Sequence, residues 1–114
     1  MKSFIRQAAQ GDVLITKIDL MPEGIKKVEA VKSKYVIAHS ETGHHHTVAE
    51  RPGVTFWQSP DPAIAYLNVI DGVEAVLEHE RSFDTHESLL LKGGTYEVRR
   101  QQEYTPSGWK RVAD

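Results

Sequence analysis

The amino-acid sequence predicts an all-β protein, a single-domain antiparallel barrel or sandwich of about eight short strands. Apolar residues recur with a period of two along most of the chain, and no long stretch has the 3.6-residue period of an amphipathic helix. Turns rich in glycine and proline separate the apolar segments at fairly regular spacing. Because 114 residues suffice for one hydrophobic core but not two, we expect one domain spanning 1–114.

The first half of the chain supplies the early strands. "DVLITKI" alternates, with Val13 and Ile15 on one face, and it follows the turn residues Gly11 and Asp12. "DLMPEGIKK" contains proline and glycine and predicts a loop, or at most one helical turn. The β-branched and aromatic segments "KYVIAHS", "HHTVA" and "GVTFWQS" predict three further strands.

The second half is organised by its turns. "SPDP" predicts a turn before the nearly continuous apolar segment "AIAYLNVI". Asp71-Gly72 then predicts a tight hairpin between that segment and "VEAVLEH", because this dipeptide suits a type I′ turn. "SLLL", "KGG" and "TYEVRRQQEY" predict another hairpin, and "TPSG" leads into the short strand "WKRVA".

Four of the six histidines lie within eight positions, in "HSETGHHH". If "SETG" is a four-residue hairpin loop, His39 and His44 form a cross-strand pair, His46 shares their face, and His45 points the other way. The next pairs on this otherwise apolar face would be Ile37 with His46 and Tyr35 with Val48.

The other two histidines show the same arrangement. "VEAVLEH" places His79 on an apolar face, and His86 follows the six-residue stretch "ERSFDT". If this segment is a hairpin, His79 and His86 flank its loop. The next pairs would be Leu77 near Ser88 and Ala75 near Leu90. Each of two hairpins therefore ends in imidazoles at its loop.

These registers predict one divalent transition-metal site at the mouth of the barrel. Neutral imidazole binds Zn, Fe, Mn and Ni, and residues i and i+2 of a strand can reach one ion about 2.0–2.2 Å away. The alternative is a polar loop that is rich in histidine. The predicted ligands are His44, His46, His79 and His86, with His39 as a fifth ligand or a hydrogen-bonding partner of a ligand.

Charge favours a cation in this region. Residues 35–94 carry three basic and nine acidic side chains, a balance of −6, which attracts a cation and disfavours a phosphate backbone. Four glutamates near the histidines could supply an oxygen ligand or orient a ring, and the sequence leaves their roles open. They are Glu41, Glu50, Glu80 and Glu87.

"HHHTVAE" contains His44-x-His46-x-x-x-Glu50, which resembles the first metal motif of the cupin superfamily of small β-barrels. "HESLLLKGGTYEV", with His86, is loosely similar to the region of the second cupin motif. The resemblance implies a jelly-roll barrel with His44, His46, Glu50 and a later histidine around one metal. The whole sequence also resembles functionally unassigned short proteins of bacteria and their phages.

Several functions stay open at this point. The metal site could serve a metal-dependent enzyme or a binder of a small molecule, or the chain could be a non-catalytic accessory or interaction domain. The basic and aromatic side chains of 96–111 offer a nucleic-acid surface, but Glu97 and Glu103 offset the arginines, so an ion-paired edge strand is the favoured interpretation. The sequence does not exclude a homodimer.

Other classes have no support in the sequence. The chain has no cysteine, hence no disulfide and no thiolate metal site, and no apolar stretch approaches the roughly 18 residues of a membrane span. It has no P-loop, no dinucleotide-binding glycine motif and no serine nucleophile elbow. We expect a cytoplasmic protein.

Overall fold

The computed structural model describes residues 6–39, 45–79 and 88–100 in full, and the backbone alone of 2–3, 102–105 and 108–111. These residues contain no helix, which confirms the all-β class, and none of them forms an apolar helix of membrane-spanning length. The strands are β1 (Lys2–Ser3), β2 (Gln7–Gln10), β3 (Val13–Ile18), β4 (Lys26–Val28), β5 (Lys34–Ala38), β6 (His46–Ala49), β7 (Val54–Gln58), β8 (Ile64–Val69), β9 (Ala75–His79), β10 (Leu89–Leu91), β11 (Gly94–Arg100), β12 (Gln102–Thr105) and β13 (Gly108–Arg111).

Two sheets face each other across a common core. The five-stranded sheet has the order β1-β10-β9-β6-β5 and the six-stranded sheet the order β2-β3-β11-β8-β7-β4, while β12 and β13 pair separately. β1 and β10 are parallel, and the other pairs are antiparallel. Leu67 of β8 and Leu77 of β9 are fully buried in one apolar cluster, so both sheets contribute to one core.

The alternation predicted from the sequence sets which side chains enter this core. In β3, Val13 and Ile15 are buried, whereas Leu14 and Thr16 are half-buried. β3 pairs with β2 through the two-residue turn Gly11-Asp12. Gly11 has a φ of 57°, the positive value that a type II′ hairpin requires at its first turn residue.

Two of the predicted hairpins are wrong. The strands on either side of Asp71-Gly72, β8 and β9, belong to different sheets. Gly72 has a φ of 85° while Asp71 does not have a positive φ, and the amide of Val73 donates to the carbonyl of Ile70. This is the pattern of a type II turn, which splays strands apart, so the chain crosses from one sheet to the other.

The segments "SLLL" and "TYEV" do not pair with each other either. β10 pairs with β9 and β1, whereas β11 pairs with β3 and β8. β11 is therefore an interior strand, so the prediction of an edge strand within 96–111 is wrong for residues 96–100. Tyr96 and Val98 are buried while Arg99 is exposed. A central strand with one solvated face has the same alternation as an edge strand.

Candidate functional site

His46, the first residue of β6, lies in a buried hydrogen-bond network between the two sheets. Its side chain has no exposed surface. Its Nδ1 is 2.8 Å from Oε1 of Gln10, and its Nε2 is 3.2 Å from Oδ1 of Asp12. Gln10 and Asp12 are only 3% and 4% exposed. They flank Gly11 in the β2–β3 turn, so one short turn of the six-stranded sheet contacts both nitrogens of one ring in the other sheet.

The amide of Gln10 fixes which ring nitrogen of His46 holds a proton. Nε2 of Gln10 donates to the carbonyl of Leu77 at 3.0 Å, so the amide oxygen faces His46. That oxygen can only accept a hydrogen bond. Nδ1 of His46 is therefore the protonated nitrogen, and Nε2 is the nitrogen that faces the carboxyl group of Asp12.

The 3.2 Å between Nε2 of His46 and Oδ1 of Asp12 fits two chemical arrangements. The pair can share a proton as a hydrogen-bonded ion pair. Alternatively, both atoms can bind one ion, because two donors about 2.1 Å from a metal lie roughly 3.0–3.4 Å apart at coordination angles of 90–109°. In the second arrangement, Gln10 would be the partner that orients a metal-binding imidazole.

His79, the last residue of β9, lies directly beside His46. The two residues are cross-strand partners in the β6–β9 ladder, and their rings stack with centroids 4.1 Å apart and planes 11° apart. The β5–β6 and β9–β10 hairpins are thus neighbours in one sheet, and the strand ends that lead into their loops lie at the same end of it. This meeting of the two hairpins is the geometry that the sequence predicts.

The predicted register of the first hairpin is partly wrong. Tyr35 pairs with Val48 as predicted, but a β-bulge between Val36 and Ala38 makes Ala38, not Ile37, the partner of His46. An extra residue in one strand shifts every later pair.

The predicted register of the second hairpin is wrong by one residue. Leu77 pairs with Leu89 and Ala75 with Leu91. Leu89 and Leu91 are buried, so Ser88 and Leu90 lie on the opposite face, because a shift of one residue exchanges the faces of a strand. The reasoning that placed His86 on the inner face therefore does not hold. His86 itself lies outside the described residues.

The remaining predicted ligands divide into two groups. His44, like His86 and the glutamates Glu41, Glu80 and Glu87, lies outside the described residues. His39 is exposed, and its ring contacts that of His45 edge-on at 5.0 Å between centroids. The structure thus puts His39 against His45, the residue that was predicted to face away from it.

Glu50 does not join the site. It is exposed and follows the end of β6, and its backbone amide donates to the carbonyl of Ser33. At about 3.3 Å per strand residue, Glu50 lies about 13 Å along the chain from His46. The ligand set implied by the cupin resemblance therefore loses its carboxylate. Within the described ranges, no group of three or more His, Cys, Asp or Glu side chains could hold a metal ion.

The sequence did not identify Gln10 and Asp12 as site residues. Asp12 follows a glycine and precedes a strand, so it has the signature of an ordinary turn residue. The sequence holds only an indirect signal that Gln10 and Asp12 belong to a site. They flank the turn residue Gly11, and the strand that follows is strongly apolar. Their burial follows from the packing of one sheet on the other, which local sequence does not reveal.

Comparison with known proteins identifies a family. Residues 9–101 match the model of DUF8820, a domain of unknown function. No curated protein and no solved structure matches the chain. The matched region contains the whole described site, including Gln10, Asp12, His46 and His79, and it gives no support to the cupin resemblance.

Proposed function

The chain belongs to the DUF8820 family, and from that premise we propose that it binds a divalent transition metal where the β2–β3 turn meets β6. The observation that carries this proposal is the buried pair of His46 and Asp12, whose facing atoms are 3.2 Å apart. Gln10 occupies the other ring nitrogen at 2.8 Å and so directs Nε2 toward the carboxylate. A buried imidazole held in this way is poised for metal binding through Nε2.

His79 is the third proposed ligand, but its ring stacks face to face on that of His46, and an imidazole nitrogen binds a metal in the plane of its own ring. His79 would therefore have to turn out of the stack to join Asp12 and His46 at one ion. His44 and His86 complete the proposed set, with His39 near its outer side, as the spacing of histidines in the sequence suggests. A mixed set of imidazole and carboxylate suits Zn, Fe, Mn or Ni. The net acidity of residues 35–94 lowers the electrostatic cost of bringing a cation to this end of the protein.

A second candidate is a non-catalytic accessory domain that contains no metal. It is favoured by the fact that both ring nitrogens of His46 already face a hydrogen-bonding partner. In that case Asp12 and His46 form an internal ion pair that ties the two sheets together. Such a pair contributes little net stability when intact but is costly to break.

Metal content distinguishes the two candidates. We expect protein purified without a histidine tag to carry about one transition-metal ion per chain by elemental analysis. Asp12→Asn, which keeps the shape of the side chain but weakens it as a ligand, should lower that content at least about tenfold. His45→Ala is the matched control, since His45 is the one histidine that is not in the proposed ligand set, and it should retain the metal.

A wild-type protein that neither carries nor takes up stoichiometric Zn²⁺, Fe²⁺, Mn²⁺ or Ni²⁺ would refute the metal site. The second candidate would then be supported if Asp12→Asn lowers the free energy of unfolding. Equal loss of metal in Asp12→Asn and His45→Ala would show that a different set of residues binds the ion.

A further inference from the structure

A pocket of about 170 Å³ lies between the sheets beside β5, the outer strand of the five-stranded sheet. Most of its lining residues are apolar and they come from both sheets, with Ile37 on one side and Phe56 and Val98 on the other. Ala38, the cross-strand partner of His46, also lines it. The pocket is therefore at the same end of the fold as the proposed metal site, although none of Asp12, His46 and His79 lines it.

The polar side chains of the lining are neutral or basic. They belong to Gln58, His39 and Arg100, and no carboxylate lines the pocket among the described residues. The neighbouring arginine differs, because Arg99 is turned to the outer face and its Nε donates to Glu97 at 3.1 Å. Of the two adjacent arginines, Arg100 lines the pocket and Arg99 does not.

Arg100 is held in position by the turn that precedes β8. Its guanidinium Nη2 donates to the carbonyl of Pro62, and its backbone amide donates to the carbonyl of Ala63 at 2.9 Å. Both Pro62 and Ala63 line the pocket. The positive charge of Arg100 is thus held at the rim of the pocket.

The turn itself is built from side-chain hydrogen bonds. The side-chain Nε2 of Gln58 donates to the backbone carbonyl of Ile64 at 2.9 Å and to that of Ser59 at 3.1 Å. The carboxylate of Asp61 accepts from the backbone amide of Ala63 at 2.9 Å. A wall fixed in this way is preorganised, so a ligand need not order it on binding.

We propose that this pocket binds a small monocarboxylate with a compact apolar body. Arg100 would hold the carboxylate, since a guanidinium matches that group in shape and charge, and Phe56 and Val98 would cover the apolar body. An apolar cavity of about 150 Å³ holds one benzene molecule, so the volume suits a ligand of the size of benzoate. The site does not depend on the metal, because neither Arg100 nor the apolar walls belong to the metal site.

The test is a titration of the full chain with benzoate, followed by methyl NMR, with benzamide as the uncharged probe of the same shape. We expect saturable shifts of the methyl groups of Ile37, Ala65 and Val98 with benzoate, and at least about tenfold weaker binding of benzamide. The same result after dialysis against a chelator would show that benzoate does not bind through a metal. Absence of saturation, or shifts centred on Val73 in a second pocket lined by Arg51 and Lys92, would overturn the proposal.

A pair of adjacent substitutions provides the matched control. Arg100→Gln should weaken benzoate binding at least about tenfold, whereas Arg99→Gln should change it less than about twofold. Equal effects of the two substitutions would contradict a specific role for Arg100. If Arg100→Gln fails to fold, the benzoate and benzamide comparison in the wild-type protein decides the question alone.

Discussion

At the scale of single residues, the main feature is a chain of hydrogen bonds that crosses the core. The carbonyl of Leu77 accepts from Gln10, Gln10 accepts from His46, and His46 faces Asp12. Each bond sets the orientation of the next group. The sequence identified His46 but not the other members, because their roles depend on residues 34 to 67 positions away in the chain.

Gln10 is the residue in this chain whose loss we expect to destabilise the fold most clearly. Gln10→Leu keeps the approximate size of the side chain but leaves Nδ1 of His46 and the carbonyl of Leu77 without the partner that now satisfies them. An unsatisfied buried polar group costs about 1–3 kcal/mol, so the free energy of unfolding should fall by at least that amount.

Gln7 is the matched control for this change. It lies in the same strand, but it is exposed and donates to the hydroxyl of Thr16 at 2.9 Å. Gln7→Leu should change the free energy of unfolding by less than about 0.5 kcal/mol. Denaturant unfolding measures both variants, and equal destabilisation would mean that the buried network does not stabilise the fold.

Buried tyrosines predict how stability depends on pH. Burial raises the pKa of Tyr96 above its ordinary value of 10.0, and its hydroxyl donates to the carbonyl of Lys92 at 2.6 Å. Burial also raises the pKa of Tyr35 and Tyr66. Above pH 10 the unfolded chain loses these protons before the folded chain does, so stability is complete below pH 10 and falls as pH rises through the folded pKa.

Denaturant unfolding between pH 8 and pH 11, with tyrosinate absorbance recorded in parallel, tests this dependence. Tyr96→Phe should have a shallower loss of stability above pH 10 than the wild type, because it removes one of the titrating groups. An identical slope in the two proteins would show that Tyr96 does not contribute.

At the scale of elements, the sequence predicted strands better than it predicted their pairing. Strict alternation places Val13 and Ile15 in the core, and this follows from local geometry alone. Pairing depends on turns, and the turn at Asp71-Gly72 has a type II conformation that separates β8 and β9 into different sheets. The bulge between Val36 and Ala38 likewise has no signature in the local sequence.

The turn before β5 is strained and can be improved. Lys32 and Ser33 have φ values of 52° and 65°, and Val31 and Lys34 exchange both backbone hydrogen bonds across them. A type I′ turn needs two positive φ values, which favour Asn-Gly at these positions. The double change Lys32→Asn and Ser33→Gly should raise the free energy of unfolding by about 1–2 kcal/mol.

Ser33→Val provides the opposite control, because a β-branched side chain resists a positive φ. It should destabilise the protein, and thermal or denaturant unfolding compares the variants directly. A neutral result for both changes would mean that the turn relaxes to another conformation without cost.

At the scale of the whole molecule, the candidate metal site depends on the packing of the two sheets, because the β2–β3 turn of one sheet contacts His46 of the other. The sequence predicted two hairpins with histidines at their loops, and the pairing of β6 with β9 in one sheet is what brings His46 beside His79. Gln10 and Asp12 come from the other sheet, and sheet-on-sheet packing is a long-range outcome that alternation does not specify. The same packing encloses the pocket beside Arg100, so both proposed sites arise from tertiary structure.

The central claim is that Nε2 of His46 is a metal-binding atom. Nitrogen NMR of histidine-labelled protein, recorded before and after one equivalent of Zn²⁺, tests it most directly. We expect Nδ1 to keep its proton and its bond to Gln10, while the Nε2 resonance moves to the position of a metal-bound nitrogen and loses any attached proton. An Nε2 resonance that stays unchanged and remains protonated beside Asp12 would contradict the claim.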